Sequence, residues 1–232
     1  WCKVLEIPVV LLSATLPPEK KTQMLSAYTA QSIPSSYPAV TAITESGKVL
    51  VRTIHRTEKR QTVSVTLCPI LHQAEQIAAY AKGLVQGGGC MCILLNTVQQ
   101  AQETFQALKA IGFDGELLLF HARFPAEQRD QIEQRCIRLF GKEKSMRPQR
   151  AILVATQVVE QSLDVDFDLM MTAIAPIDLV LQRLGRMFRH QDTPRPPHIK
   201  VPNLYVLVPD LSEQFGADGF VYPTCLLQQS IH

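Results

Sequence analysis

Residues 182–189 read QRLGRMFR and are the most informative part of this sequence. On an α-helix, which turns about 100° per residue, Gln182, Arg186 and Arg189 would lie on one face, with Gly185 beside them. An amide and two guanidinium groups would then point the same way, and the glycine adds no side chain that could block a ligand. Such a face suits a polyphosphate whose negative charge grows in a transition state. The pattern therefore predicts an anion-binding helix.

The opposite side of this helix is apolar. Leu181, Leu184 and Phe188 share that side, and we expect them to anchor the helix on a hydrophobic core. We also expect Asp178 to cap its first turn. The alternative is an amphipathic helix whose basic face is merely solvated, which is the commoner origin of two arginines on one helix. The glutamine and the glycine at fixed offsets from the arginines favour the binding site.

The spacing Gln-x-x-Gly-Arg-x-x-Arg resembles the last motif of the superfamily 2 helicases. Four further motifs of that superfamily have counterparts upstream, in the expected order. They are residues 12–17 (LSATLP), 93–98 (ILLNTV), 120–124 (FHARF) and 155–166 (ATQVVEQSLDVD). Five motifs in order across most of the chain indicate a superfamily 2 helicase.

Finer features narrow the resemblance. The run ATQVVEQSLDVDFD followed by QRLGRMFRH is similar to the CRISPR-associated helicase–nuclease of type I systems. Most other superfamily 2 members have Gly-Ile/Leu-Asp-x-Pro in the loop where this chain has SLDVD, at residues 162–166. The resemblance implies an ATP-dependent, 3′-to-5′ single-stranded DNA translocase of the cytoplasm. A target-bound CRISPR surveillance complex would recruit it, and it would feed DNA to its own nuclease domain in antiviral defence.

The resemblance also implies a nucleotide site, with ATP and Mg²⁺ bound between two RecA-like domains. Arg186 and Arg189 would reach the β- and γ-phosphates, with Arg189 at the phosphate being transferred. Gln182 would orient the γ-phosphate or the attacking water. Asp164 would contact the ribose or fix a finger arginine, and Gly185 would leave room for the nucleotide.

A second group of residues would hold the phosphates of single-stranded DNA: Thr97, His121, Arg123 and Thr156. Such contacts set register without reading sequence, as a translocating motor requires. Each residue also has a purely structural interpretation. Thr97 is a candidate helix cap, His121 a candidate core histidine, and Arg123 a candidate partner for Glu127.

The remaining motif residues are less specific. By resemblance, Ser13 and Thr15 would couple the nucleotide cleft to the DNA channel, although three small residues before two prolines also form an ordinary turn. In the loop at residues 155–166, Glu160 and Asp166 are alternatively explained as capping or solvating residues.

Several motifs of the full family are not found in this sequence. It contains no G-x-x-x-x-G-K-[S/T] phosphate loop, no Asp-Glu-x-His box, and no run of histidines and aspartates that could hold two metals. We therefore expect no metal site within the chain. We expect the first RecA-like domain and the nuclease domain of the same protein to supply these motifs. We also expect this part of the protein alone to show no ATP hydrolysis.

Composition is that of an ordinary soluble globule, with 46% apolar and 19% charged residues. No apolar stretch reaches the roughly 20 residues that a membrane helix needs. The six cysteines lack zinc spacing and are expected to be thiols in a reducing compartment. The net charge of +2 does not by itself indicate nucleic-acid binding. Basic residues cluster at 52–60 and 142–150, and each cluster either follows a phosphate backbone or is a solvated loop.

Alternating apolar runs and helical patterns indicate an α/β, doubly wound and mainly parallel sheet flanked by helices, which the resemblance makes RecA-like. Strands are expected near residues 4–12, 61–67, 90–95, 116–120, 151–155, 169–174 and 204–208. We assign residues 1–58 to a short C-terminal remnant of the preceding RecA-like domain and 59–212 to the second RecA-like domain. Residues 213–232 would begin a linker to an accessory region.

Two other functions remain compatible with the sequence. One is a non-catalytic module that keeps a helicase-like fold and binds nucleic acid or protein. The other is a different superfamily 2 DNA or RNA helicase, against which the SLDVD loop argues. A phosphate loop and an acidic box in the reading frame upstream of Trp1 would favour the motor over the module.

Overall fold

A computed structural model describes residues 1–13, 16–34, 36, 38–54, 62–160, 163–210 and 214–231. The chain divides into two units, Trp1–Gln61 and Thr62–His232. The domain border that we expect between residues 58 and 59 lies outside the described residues. No helix in the described part has both the length and the apolar character needed to cross a membrane.

The first unit contains one helix and one hairpin. Helix α1 spans Pro18–Leu25, and strands β1 (Ala39–Ile43) and β2 (Val49–Thr53) pair in antiparallel register. The strand expected at residues 4–12 is wrong, because this segment is irregular and its side chains are mostly exposed. Among the described residues of this unit, β1 and β2 form the only sheet, and an apolar run without a pairing partner cannot satisfy a strand's backbone groups.

The second unit alternates strands and helices. Its strands are β3 (Ser64–Cys68), β4 (Gly89–Leu94), β5 (Glu116–Phe120), β6 (Arg150–Ala155), β7 (Leu169–Ala173) and β8 (Asn203–Leu207). Its helices are α2 (Ala74–Leu84), α3 (Val98–Ala110), α4 (Ala126–Phe140), α5 (Ile177–Leu184), α6 (Asp218–Val221) and α7 (Thr224–Gln229), with a 3₁₀ turn at Gln157–Val159. The six strands predicted for this unit are confirmed.

The sheet of the second unit is parallel throughout and has the order β3-β8-β7-β4-β6-β5. This is the doubly wound, RecA-like architecture that the sequence predicts. Every residue of the central strand β4 is buried, as a strand covered on both faces requires. Because the strands are parallel, their carboxyl ends meet at one edge, where ligands bind in open α/β sheets.

Local signals set the helix ends as expected. Thr97 caps α3 and exchanges hydrogen bonds with Gln100 in a capping box. Gly112 follows that helix with a φ of +64°, a conformation that favours glycine. Pro125 directly precedes α4, as expected for a helix start.

The helix expected over residues 182–189 is shorter than predicted. Helix α5 ends at Leu184, and Phe188 has a φ of +46°. The chain leaves the helix because its backbone pairs with Phe167 instead: the Phe167 N–H donates to the Arg186 carbonyl, and the Phe188 N–H donates to the Phe167 carbonyl. Gln182, Arg186 and Arg189 therefore do not share one helix face, and that prediction is wrong.

The expected apolar anchor is confirmed only in part, because Leu184 and Phe188 pack against the core and Leu181 does not. Val180 and Arg183 are buried, whereas Leu181 is 55% exposed. The N-cap is Pro176 rather than Asp178, which lies in the first turn. Arg183 takes the inward position because acceptors there, including Glu160 and Thr172, satisfy its guanidinium.

The C-terminal segment belongs to the second unit and contributes residues to its interior. Asp218 at the start of α6 and Leu227 in α7 are both fully buried. The assignment of this segment as the start of a linker to an accessory region stays a prediction.

Candidate functional site

The three arginines of residues 182–189 lie in different environments, of which that of Arg183 is the most enclosed. Its side chain is fully buried, and Nε donates to a Glu160 carboxylate oxygen at 2.7 Å. Nη1 donates to the Thr172 hydroxyl at 2.7 Å and to the Ala173 carbonyl at 2.9 Å. Arg183 thus joins the ends of several strands. The sequence interpretation missed it, although its spacing of three from Val180 places both on one side of α5.

Arg186 is half-buried and holds the loop that precedes Asp164. Its Nη1 donates to the Leu163 carbonyl and its Nη2 to the Glu160 carbonyl, both at 2.7 Å. Burial lowers the pKa of the Arg186 guanidinium, and the nearby positive charge of Arg189 lowers it further. Arg186 therefore both positions the loop and contributes positive charge next to Arg189.

Arg189 is the more exposed of the two predicted finger arginines. Its Nε donates to Asp164 Oδ1 at 2.7 Å, with side-chain exposures of 42% for Arg189 and 55% for Asp164. Burial alone would raise the pKa of the Asp164 carboxyl, but hydrogen bonds from His190 and Arg189 outweigh it and lower that pKa. An exposed ion pair contributes only about 0–1 kcal/mol to stability. Its main physical effect is therefore to orient the guanidinium.

Gln182 and Gly185 lie at the end of α5. Gln182 is partly buried in the last turn, and Gly185 is the exposed C-cap residue. A Cβ at Gly185 would lie 3.2 Å from the Gln182 carbonyl oxygen, so a side chain there would be tight against the helix end. The turn after α5 thus brings Arg186 and Arg189 close to Asp164. Gln182 lies before this turn, in the last turn of α5.

Three of the four residues predicted to contact DNA follow neighbouring strands. Thr97 follows β4, His121 follows β5 and Thr156 follows β6, and these strands are adjacent in the order β4-β6-β5. The Thr156 N–H donates to the Phe120 carbonyl at 3.1 Å, which ties two of the strand ends together. The four residues therefore lie near one edge of the sheet, with Arg123 exposed just beyond His121.

The side chains of this group differ in accessibility. His121 is 3% exposed and stacks on Phe124, with ring centroids 4.2 Å apart. Burial lowers the pKa of the His121 imidazole, and within the described part of the chain its Nδ1 has no hydrogen-bond partner. Thr156 is also 3% exposed, and Thr97 is engaged with Gln100 as a helix cap. Of the four, Arg123 has the side chain most open to a ligand.

The two residues of the Ser-Ala-Thr motif give less structural information. Ser13 belongs to the first unit, in irregular backbone, and Thr15 lies outside the described residues. Their coupling role stays a prediction.

A buried polar network at the strand ends was not foreseen from the sequence. Asn96 Nδ2 donates to the Ile174 carbonyl at 2.8 Å and to Asp218 Oδ1 at 2.6 Å. The other oxygen of Asp218 accepts from Gln100 Nε2 at 2.7 Å. The network links the capping box of α3 to the C-terminal helices.

A second buried cluster surrounds two aspartates of the segment after Asp164. Asp166 accepts from the Thr193 hydroxyl at 2.6 Å and from Arg195 Nη2 at 2.8 Å. Asp168 accepts from Arg147 at 2.9 Å and also pairs with Arg195. Both carboxylates are essentially inaccessible, and Glu160 pairs with Arg183, so neither Asp166 nor Glu160 is a solvated loop residue. Asp166 Oδ1 does accept from the Arg189 N–H at 2.9 Å, which agrees with the capping alternative for that residue.

Several side chains of the basic cluster at residues 142–150 are bonded within the protein, whereas the sequence suggested a phosphate-binding run or a solvated loop. Arg147 is 6% exposed and belongs to the aspartate cluster, and Arg150 pairs with Asp114. Lys144 donates to the Gly141 carbonyl at 2.6 Å and to His190 Nδ1 at 3.0 Å. Lys144 and Arg147 are thus held by contacts within the protein, whereas Lys142 is exposed and Arg150 forms a surface ion pair at the start of β6.

Cysteines and other candidate metal ligands do not cluster in the part of the chain that the structure describes. Among the described residues, no group of three or more His, Cys, Asp or Glu side chains could hold a metal ion. All six cysteines are described and are free thiols.

Comparison with known proteins shows the family. The model of the CRISPR-associated nuclease/helicase Cas3 C-terminal region matches residues 87–192, which include four of the five helicase-like motifs. The CRISPR-associated endonuclease/helicase Cas3 of Escherichia coli (strain K12) is 36% identical over 228 residues, covering 92% of this chain and 25% of that relative. The corresponding Cas3 of Thermus thermophilus is 34% identical over 254 residues, covering 90% of this chain and 27% of the relative.

Solved structures give the same result. The crystal structure of T. fusca Cas3-ATP matches with a TM-score of 0.85 and 35% identity, covering 100% of this chain and 30% of that one. A chain of a CRISPR RNA-guided surveillance complex, pre-nicking, matches with a TM-score of 0.82 and 33% identity, covering 100% and 31%. This chain spans about a quarter of the length of the curated relatives that it matches. It belongs to the Cas3-like C-terminal family of CRISPR-associated nuclease/helicases.

Proposed function

We propose that this chain is the second RecA-like half of an ATP-dependent, single-stranded DNA translocase that acts in type I CRISPR interference. The observation that carries the proposal is the Arg189 guanidinium, held by Asp164 beside the charge of Arg186. The names of the relatives support the same activity, and the match to T. fusca Cas3-ATP supports a nucleotide-binding role.

The donor set fits a polyphosphate. ATP supplies the phosphoanhydride bond whose hydrolysis drives movement. Arg189 binds the phosphate being transferred, because its guanidinium is exposed and oriented by a carboxylate. Such a finger contributes about 10³–10⁵ in rate. Gln182 orients the γ-phosphate or the water, and Gly185 keeps side-chain bulk away from it.

Arg186 has a more constrained role. Both of its terminal nitrogens are engaged by the carbonyls of Glu160 and Leu163, so its contribution at the β-phosphate is its positive charge and its hold on the loop carrying Asp164. By resemblance, Mg²⁺ would accompany the nucleotide and would be held mainly by groups of the first RecA-like domain.

Single-stranded DNA is bound along the edge where β4, β5 and β6 end. Arg123 contacts a phosphate through its exposed guanidinium. Thr97, His121 and Thr156 shape the edge along which the DNA backbone runs, because their own donors are bonded within the protein or their side chains are buried. Ser13 and Thr15 couple this channel to the nucleotide cleft. These contacts are independent of base sequence, as translocation requires.

The whole protein works in the cytoplasm together with its first RecA-like and nuclease domains. Recruitment by a CRISPR surveillance complex is supported by the match to a chain of such a complex. The direction of movement, 3′-to-5′, rests on the resemblance of the motifs.

The test is ATP hydrolysis by the full-length protein with and without single-stranded DNA. The wild-type protein should hydrolyse ATP in a DNA-stimulated manner, and Arg189→Ala should lower kcat by about 10³-fold or more. Arg138→Ala, on the exposed side of α4, is the matched control and should retain wild-type turnover. ATP binding without hydrolysis in the wild type would instead identify a non-catalytic module, and full turnover in Arg189→Ala would remove the finger assignment.

A further inference from the structure

The Asp164 carboxylate that orients Arg189 is itself held by a second donor. His190 Nε2 lies 3.1 Å from Asp164 Oδ1, the same oxygen that accepts from Arg189 Nε at 2.7 Å. His190 has a side-chain exposure of 15%, compared with 55% for Asp164. One oxygen of an exposed carboxylate is thus fixed between a flexible arginine and a largely enclosed imidazole.

The imidazole is oriented from its other side by a lysine of a different segment. Lys144, in the loop between α4 and β6, places Nζ 3.0 Å from His190 Nδ1. An ammonium group can only donate, so Nδ1 accepts and the ring proton resides on Nε2. This tautomer, assigned from the hydrogen-bond network, is the one that donates to Asp164.

The lysine is fixed in turn. Its ammonium donates to the Gly141 carbonyl at 2.6 Å, at the end of α4. Burial lowers the pKa of Lys144, and the nearby Asp166 carboxylate opposes that effect. The chain of contacts therefore runs from the end of α4 through Lys144, His190 and Asp164 to the guanidinium.

We propose that Lys144 and His190 are positioning residues that aim the Arg189 guanidinium by fixing the Asp164 carboxylate. The inference rests on the proposed function and deepens it by assigning residues that touch neither nucleotide nor DNA. Within the part of the chain that the structure describes, Nε of Arg189 is taken by Asp164, Nη1 lies 3.5 Å from the Gly185 carbonyl, and Nη2 has no hydrogen-bond partner. Fixing Nε therefore sets the direction in which the Nη2 end of the guanidinium points.

The test compares kcat and KM for ATP in the full-length protein carrying His190→Phe or Lys144→Met. Each variant should lower kcat by about 10- to 100-fold, because misplacing a catalytic group by about 1 Å has an effect of this size. KM for ATP should change by less than about threefold, because the interaction lost is one made in the transition state. His198→Phe and Lys200→Met, both exposed and near the start of β8, are the matched controls and should retain wild-type kcat.

Two further variants separate positioning from packing. His190→Gln keeps an N–H donor near the place of Nε2 and should recover most of the kcat lost in His190→Phe. Because the contacts act in series, adding Lys144→Met to His190→Phe should change kcat by less than about twofold. Two results would overturn the inference. One is a kcat of the double variant that falls by the product of the two single losses. The other is a kcat of His190→Gln as low as that of His190→Phe, at an unchanged melting temperature.

The two proposals fail in different ways. If the wild-type protein shows no DNA-stimulated hydrolysis, the proposed function is wrong. If the wild type is active and Arg189→Ala is inactive, but His190→Phe and Lys144→Met both turn over normally, the proposed function stands and only the positioning role is wrong.

Discussion

Arg183 and Glu160 form an ion pair at 2.7 Å in which the arginine side chain is fully buried and the glutamate side chain is 10% exposed. The partners are 23 residues apart in sequence and connect the loop after β6 to helix α5. Because Arg183 also binds groups at the end of β7, it stabilises the strand ends from which the candidate site is built.

Replacing Arg183 by methionine should therefore destabilise the domain. The change leaves the Glu160 carboxylate enclosed without its cation, and breaking one partner of a buried pair costs about 3–5 kcal/mol. For a domain of this size the loss corresponds to a melting temperature lower by roughly 10 °C. Calorimetry of the full-length protein measures it, with Arg138→Met as an exposed control that should shift by less than about 0.5 kcal/mol. An unchanged transition in Arg183→Met would mean that the pair contributes nothing net.

The Asp166 cluster predicts a pH dependence of stability. Burial alone raises the pKa of the Asp166 carboxyl, but hydrogen bonds from Thr193 and Arg195 and the charge of Arg195 outweigh it and lower the pKa. A lowered carboxyl pKa stabilises the folded state fully above the unfolded value of about 3.9, and the contribution is lost as pH falls through the folded value. The melting temperature of the wild type should exceed that of Asp166→Asn at neutral pH, and the gap should narrow below about pH 4. A gap that stays constant down to pH 3 would contradict this assignment.

Asp218 should anchor the C-terminal helices to the sheet. Its two oxygens accept from Asn96 and Gln100 inside the protein, and Asp218→Ala leaves both amides without an acceptor. We expect a loss of about 2–4 kcal/mol, and hydrogen exchange in α6 and α7 that is faster in Asp218→Ala than in the wild type, with a smaller change in α3. Asp218→Asn, which keeps one carbonyl acceptor, is the matched control and should lose less. Equal exchange rates in the alanine variant and the wild type would show that α6 and α7 are held by their apolar contacts alone.

Thiol reactivity should follow burial. Burial raises the pKa of Cys90 and of Cys136 to about 12 and also raises that of Cys92, whereas Cys225 is exposed. Iodoacetamide at pH 8 should therefore label Cys225 and leave the other three unmodified in the native protein, because the thiolate is the reacting species. Peptide mass spectrometry measures the extent at each site, and labelling in denaturant shows that all four peptides are detectable. Rapid native labelling of Cys92 would contradict its burial.

The sheet of the second unit was predictable because its strands are short apolar runs separated by helical patterns. Strand β4 is the clearest example, with six consecutive buried residues followed by Asn96 and the capping box at Thr97. The hairpin β1–β2 was missed because its strands are only five residues long and none of their residues is fully buried, so neither forms the continuous apolar run by which the other strands were recognised. The segment at residues 4–12 has the composition of a strand, but composition does not supply a pairing partner.

The residues of the candidate site that belong to sequence motifs were predictable, whereas the buried residue that supports them was not. The position of Asp164 and of both predicted finger arginines follows from motif spacing, and their proximity appears in the structure. The burial of Arg183 was not predicted, because a charged residue on a helix is expected to face solvent. Its partners Thr172, Glu160 and Asn96 lie 11, 23 and 87 residues away, so no local pattern indicates that they would enclose it.

The backbone pairing of residues 186–188 with Phe167 has a consequence for how this segment tolerates change. Hydrogen bonds from both sides of Met187 to Phe167, together with the Arg189 N–H that donates to Asp166 Oδ1, hold this backbone in one register. One residue inserted or deleted between Gly185 and Arg189 would therefore turn Arg189 away from Asp164, whereas substitutions that keep the spacing would leave its direction intact. In related chains, length variation should accordingly be found before Ile177 or after His190, and not within this short stretch.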